Sequence, residues 1–275
     1  MLLISGCTYA EELLVSNYFG NNVVRFDPHS KRNLGTFDGG SLQGALGMTT
    51  GPDRRLYVCS EITNEVQRFD LKTHRYLDTF LKGKGLSHPT AIFFDAAGSP
   101  FVANFEESTI SRFNSKGRYL GNRVVPKEGG LDGPDVGTTL GPDGKLYAPS
   151  FNSNAILRFD PKNGAFLDTF IAAGVGGMTQ PRTILFRDRM VWVTCDNGNK
   201  VVRYRLDGTY IDTFVKPGAG GLRGASGMAF GKDGYLYVSS WRNSRVLRYS
   251  LKTGEFVDVF ADKGLKGCTY LLFVP

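Results

Sequence analysis

The sequence predicts an all-β fold: a six-bladed β-propeller of four-stranded antiparallel blades, closed by the C-terminal strand completing the N-terminal blade. Three observations predict it. A repeat with a period of 43–46 residues runs through the chain, each copy holds strand-and-turn units, and the first strand that the N-terminal copy lacks lies at the C-terminus.

The repeat shows first as six Arg-aromatic pairs: Arg25-Phe26, Arg68-Phe69, Arg112-Phe113, Arg158-Phe159, Arg203-Tyr204 and Arg248-Tyr249. A period of this size marks a repeat architecture. Each arginine lies 12 residues after the start of an apolar strand, at Leu13, Leu56, Pro100, Leu146, Val191 and Leu236. No insertion therefore interrupts this part of any copy.

Within a copy, small and apolar residues such as Gly227-Met228-Ala229-Phe230 form a first strand. A turn of the Gly141-Pro142-Asp143-Gly144 type follows, then strands of the Leu236-Tyr237-Val238-Ser239 and Val246-Leu247-Arg248-Tyr249 types. A second turn, as at Asp160-Pro161-Lys162-Asn163-Gly164, leads to a fourth strand such as Phe166-Leu167-Asp168-Thr169-Phe170. β-branched and aromatic strands between Gly, Asp and Pro turns make an antiparallel blade. The 35 glycines suit that many turns. Helical periodicity is absent.

Closure follows from the ends. Residues 12–16, 23–26 and 34–37 read as strands two to four of the first blade, and residues 270–274 as its first strand. Such closure removes exposed sheet edges. Residues 12–275 thus form a single domain, and residues 1–11 a separate N-terminal segment, either a trimmed signal peptide or an extra strand. Ile4-Ser5-Gly6-Cys7 is similar to a lipoprotein box, though no basic region precedes it. The expected location is extracellular or periplasmic, with lipid anchoring through Cys7 as one route.

No stretch approaches 18 apolar residues, so no membrane span is expected. The net charge of +7 comes without a Lys/Arg run of five, which fits a mildly basic protein better than a nucleic-acid binder. Cys7, Cys59, Cys195 and Cys268 form no CxxC pair and no Cys/His metal spacing. They read as buried thiols, with a Cys7–Cys268 bridge as the alternative in an oxidising compartment.

Residues 236–249 (LYVSSWRNSRVLRY) and 146–159 (LYAPSFNSNAILRF) resemble the NHL-repeat family, and the resemblance covers almost the whole chain. It implies a propeller with a central channel and a ligand-binding top face. NHL-like propellers include streptogramin B lyase-like and gluconolactonase-like enzymes, peptidylglycine lyases and binding modules. The motif therefore specifies fold rather than function.

The repeat supplies its own control: positions shared by the copies are scaffold, and positions that vary on one face are candidates for function. Four copies place an Asp 9 or 10 residues after the arginine, at Asp78, Asp168, Asp212 and Asp258. Cross-strand Arg–Asp pairing at exposed positions is the expected reading, with contributions of about 0–1 kcal/mol each. His29 and His74 are expected in solvated outer turns. In the loop after the second strand the copies differ: Tyr18, Glu61, Phe105, Phe151, Asp196 and Trp241. Aromatic side chains in a loop mark either a ligand surface or packing between blades. The two acids belong to blades on opposite sides of the channel.

At the start of the innermost strand stand Leu46, Thr90, Asp135-Val136, Arg182, Ser226 and Thr269. These positions line the channel mouth. Asp135 and Arg182 come from adjacent blades, as a salt bridge or as a polar anchor, with His88 the one histidine placed to act as a base. The blade-linking glycines Gly129-Gly130, 174–177 and 218–221 are expected to be mobile or closely packed.

The leading expectation is a monomeric, non-catalytic propeller. Tyr18, Glu61, Phe105, Phe151, Asp196, Trp241, Thr90, Ser226 and Thr269 would bind a small molecule, a glycan or a protein. The alternative is a lyase or lactone hydrolase using His88, Asp135 and Arg182. The enzymes that the resemblance implies use histidines and a glutamate, or a metal held by Glu, Asn and Asp. This chain offers one histidine near the channel and only Asp135 and Asn104 for a divalent cation, so no cofactor is expected. RNA binding is a further alternative, through Trp241-Arg242, Arg182, Arg223 and Lys266.

Overall fold

In the computed structural model, which describes residues 11–37 and 39–275, six four-stranded antiparallel sheets form the blades of a propeller. The innermost strands, in blade order, are Cys268–Val274, Ala45–Thr50, Pro89–Phe94, Thr139–Leu140, Pro181–Arg187 and Ala225–Phe230. Blade 1 is closed as expected. Cys268–Val274 pairs antiparallel with Glu12–Asn17, from Glu12 opposite Val274 to Asn17 opposite Cys268. The Cys7 anchor, the Cys7–Cys268 bridge and an extra strand before residue 11 lie outside the described residues. Cys59, Cys195 and Cys268 are free and buried.

Blade 4 departs from the regular pattern. Its innermost strand has only two residues, and Pro134, which has no N–H, makes just an isolated bridge to Ser150. Asp135 lies in that break. Its backbone N–H donates to the Pro149 carbonyl and its own carbonyl accepts from Thr138.

The core lies between blades. Tyr57, Tyr147, Trp192 and Tyr237 from second strands each meet a phenylalanine of their own outer strand and one from the next blade's inner strand. For Trp192 these are Phe214 and Phe230, at 4.7 and 5.2 Å between ring centres. Edge-to-face pairs of this kind add roughly 0.5–1.5 kcal/mol beyond area burial.

The repeat arginines cap these rings. Arg68, Arg158, Arg203 and Arg248 pair with Asp78, Asp168, Asp212 and Asp258. The pairing is as expected, but the arginines are not exposed. Arg203 lies 4.2 Å over Phe214 and 4.9 Å over Trp192, and its side chain is only 18% accessible. Each guanidinium thus has an aromatic face below and a bidentate carboxylate beside it. His74 also departs from expectation. It packs edge-on against Phe37, 5.5 Å between ring centres, because the outer turn of blade 2 rests on blade 1.

A second scaffold column escaped the sequence reading. Asn21, Asn64, Ser108, Asn154, Asn199 and Ser244 all have a positive φ, between 48° and 58°. Each side-chain oxygen accepts from a backbone N–H of the following blade: Gly44, His88, Gly133, Gln180, Gly224 and Gly267. Asn tolerates the left-handed region and has the oxygen for this bond. Asn154→Ala is expected to cost about 1–3 kcal/mol by orphaning the Gln180 N–H. Urea denaturation checks it.

The glycine-rich linkers form short 3₁₀ turns at Glu128–Gly130, Val175–Gly177 and Ala219–Gly221. The middle glycine of each is closely packed, since a Cβ on Gly220 would stand 2.0 Å from the Phe256 ring, whereas Gly130, Gly174 and Gly218 face open space.

Candidate functional site

The top-face loops converge on a pocket of about 320 Å³, lined in part by Tyr18, Phe19, Glu61, Phe105, Arg182 and Trp241. Leu46, Thr90, Asp135 and Thr269 form further parts of its wall. The six rim positions that differ between copies resolve into three pairs across blade boundaries. Tyr18 of blade 1 donates its hydroxyl to the Glu61 carboxylate of blade 2. Phe105 and Phe151, of blades 3 and 4, stack edge to face at 5.8 Å. The Trp241 indole of blade 6 donates to Asp196 of blade 5 at 2.8 Å.

Arg182, from the inner strand of blade 5, ties the floor together. Its Nε donates to Asp196 at 2.7 Å, and its Nη1 lies 3.4 Å from Asp135. Phe151 and Trp241 flank its guanidinium, at 5.0 and 5.5 Å. The Arg242 Nη2 donates to the other Asp196 oxygen at 2.6 Å. Asp135 and Asp196 are each 1% exposed, so both carboxylates need these donors.

Electrostatics single out the other acid. Glu61 has no cationic partner within 4 Å among the described residues. Burial, aided by the charge of Asp135, holds its carboxyl above the usual range, against the Tyr18 hydroxyl, His88 and Arg182. Burial also raises Asp135, against the pull of Arg182 and the Val136 N–H. The Tyr18 hydroxyl is pushed up by burial and by Glu61. Two carboxylates that resist ionisation therefore share one pocket with a single central arginine.

The inner-strand hydroxyls have other work. Thr90 Oγ1 donates to Pro134 O at 2.7 Å, Ser226 Oγ to Thr269 O at 2.7 Å, and Thr269 Oγ1 to Ala45 O at 3.0 Å. They lash adjacent blades together around the channel. Thr90 and Thr269 still reach the pocket wall, but Ser226 is fully buried. Asn104 is spent as well. Its oxygen accepts from the Ser87 N–H, and its amide nitrogen donates to Gly85, Thr109 and Ser111. With that amide occupied and Asp135 engaged by Arg182, the donor set does not fit a metal of the Glu/Asn/Asp type. Among the described residues no group of three His, Cys, Asp or Glu side chains is arranged to hold a metal.

His88 occupies a telling position. Its equivalents in the other blades are Gly44, Gly133, Gln180, Gly224 and Gly267, and all six have a positive φ. Four blades use glycine, for which this conformation is free of strain. His88 (φ 51°) and Gln180 (φ 46°) hold it with a side chain. His88 Nδ1 is buried with no hydrogen-bond partner, and the ring lies near enough to Glu61 to act on its charge. Backbone strain of this kind costs about 1–3 kcal/mol. His88→Gly is therefore expected to leave stability within about 1 kcal/mol of wild type, strain relief offsetting added chain entropy. The urea midpoint checks this.

The sequence reading missed Phe19, 63% exposed and 6.5 Å from Trp241. Its column in the other blades reads Ile62, Glu106, Asn152, Asn197 and Arg242, as variable as the rim itself. The same comparison carried one residue further finds it.

No protein-family model matches the chain. A gluconolactonase from Zymomonas mobilis is 30% identical over 118 residues, 38% of this chain. The match spans only 33% of that relative's length. Among solved structures, one of a nidogen/laminin complex superposes with a TM-score of 0.78 at 14% identity, covering 96% of this chain and 98% of that one. A putative 6-phosphogluconolactonase from Bacteroides fragilis gives 0.66 at 16%, covering 98% and 99%. A streptogramin B lyase gives 0.65 at 16%, covering 88% and 77%. At these identities the likeness is one of fold. The chain is a six-bladed propeller whose structural neighbours include lyase-like, lactonase-like and protein-binding members. No helix among the described residues is long and apolar enough to cross a membrane.

Proposed function

We propose that the chain is a binding propeller that takes a small molecule or glycan in the top-face pocket. One observation carries this reading. Glu61 faces an aromatic-walled cavity with a raised affinity for its proton and no cationic partner within 4 Å among the described residues. The scaffold does not need it there, since no other blade has a glutamate at this position. A ligand that donates hydrogen bonds or carries positive charge satisfies Glu61 while its apolar faces stack on Tyr18, Phe105 and Trp241. The volume of about 320 Å³ falls in the small-ligand range. Screening a glycan and small-molecule set by calorimetry tests the reading. Glu61→Gln is expected to weaken the best ligand about tenfold, the loss of one charge-assisted hydrogen bond. Unchanged affinity would count against it.

A second reading is favoured by His88 and by the local match to a gluconolactonase. There the pocket is a lactone hydrolase or lyase site, with His88, which stands outside the residues lining the pocket but close enough to act on the Glu61 charge, as the base. The donor set gives no support to a metal-dependent version. Turnover of lactone substrates that disappears in His88→Gln would favour this reading over simple binding.

A further inference from the structure

Five of the six repeat arginines have a carboxylate of their own. Four use the outer-strand aspartates described above. Arg25 faces Gly35 instead and binds Glu12, with Nε at 2.8 Å and Nη2 at 2.7 Å. Arg112 has neither solution. The register places Gly121 opposite it, where Asp78 stands opposite Arg68. Ser99 occupies the position that Glu12 holds in blade 1, two residues before the strand partner of the arginine. Asp95 remains, 3.6 Å from Arg112 Nη2. Arg68 has the same kind of contact with Asp53, at 3.7 Å, in addition to Asp78.

The site of the missing carboxylate is open and positive. Arg112 Nε is buried without a hydrogen-bond partner. A Cβ built on Gly121 would meet nothing within 4 Å. Arg123, from the outer strand of the same blade, also has a buried, unpartnered Nε, and its Nη1 donates to the Lys162 carbonyl. Burial, and after it the charge of Arg112, lowers the proton affinity of the Arg123 guanidinium, with Asp160 opposing. Arg112 and Lys162 line a groove of about 330 Å³ between blades 3 and 4, walled by Phe101, Leu140 and Pro161 with Asp95 at one side. The equivalent groove between blades 2 and 3 contains Arg68, already neutralised by Asp78.

We propose that Arg112 binds an oxyanion, a carboxylate or phosphate group, in the open space over Gly121 where the sister blades carry their aspartate, with Arg123 of the same outer strand and Lys162 of the adjoining groove in support. Arginine's fork suits both anions, and four blades of this chain show the geometry with a carboxylate. The site is separate from the top-face pocket and does not depend on the function proposed for it.

Calorimetric titration with inorganic phosphate and with acetate, at ionic strength held constant by sodium chloride, tests the site. Saturable binding of either anion in the millimolar range is expected, and the tighter of the two identifies a phosphorylated or a carboxylate ligand. Ser99→Glu supplies to blade 3 the carboxylate that blade 1 draws from Glu12, and should weaken anion binding about tenfold. Arg112→Gln should do the same, and Ser99→Glu retains the scaffold arginine should Arg112→Gln fail to fold. No saturable heat in the wild type, or affinities unchanged in Ser99→Glu, would overturn the proposal.

Discussion

A chain truncated after Gly267 is expected to lose cooperative unfolding altogether. Residues 268–274 supply the whole innermost strand of blade 1. Cys268, Leu271 and Val274 are each under 5% exposed, and Phe273 packs on Tyr237 of blade 6 at 5.2 Å. The same strand holds blades 6 and 2 through the bonds of Ser226 to Thr269 and of Thr269 to Ala45. Its removal opens the ring and leaves Glu12–Asn17 as an unpaired, apolar edge. Stability of a domain is only about 5–15 kcal/mol, and this deletion removes one blade's core together with its two boundaries. Near-UV circular dichroism of the truncated protein should be featureless, and a peptide spanning residues 268–275 should restore part of the signal. A sharp unfolding transition in the truncated chain would show that the ring holds without its closing strand.

Arg182→Ala should be the most damaging single substitution in the site, at about 3–5 kcal/mol at neutral pH. Among the described residues it leaves Asp135 with no cation within 4 Å and Asp196 with Arg242 alone. The loss should depend on pH, and the sign follows from Asp135. Burial already holds its carboxyl above the ordinary value, and Arg182 is the strongest influence pulling it down. Without Arg182 the folded-state value rises further above the unfolded one. Stability then falls as pH rises from the unfolded value through the folded one, and recovers on acidification within that window. Urea midpoints of wild type and variant at pH 5 and pH 8 measure it. A cost that is equal at both values would mean that Arg182 acts through packing on Phe151 and Trp241 rather than through charge.

The fold was legible because its signal is repeated. The Arg-aromatic column recurs at every blade, so each copy corroborates the next, and the ends reveal closure. The rim was legible by the opposite sign, disagreement between copies. What stayed hidden depended on partners distant in sequence. Asp196 accepts from Trp241 and Arg242 of the next blade, and nothing local marks that convergence. The asparagine and serine column was hidden differently. Asn21, Asn64, Asn154 and Asn199 look like ordinary turn residues, and only their backbone conformation and the Gly44, His88, Gln180 and Gly224 N–H groups reveal a staple. The start of the inner strand marks Thr90 and Thr269, which do line the pocket, and Ser226, which is fully buried. What the strand position does not show is that all three hydroxyls also satisfy carbonyls of the following blade, which a buried hydroxyl requires. The break in blade 4 was visible only as a pair of residues, Asp135-Val136, competing for one column.

The measurement closest to the central claim is the affinity of the best screened ligand for Trp241→Ala. Trp241 carries one wall of the pocket and one of its three cross-blade pairs. A ligand stacked there should bind at least about tenfold more weakly to the variant, given about 1.4 kcal/mol or more for a buried aromatic contact. Affinity equal to wild type, in a variant that still unfolds cooperatively in urea, would place the binding site elsewhere on the propeller.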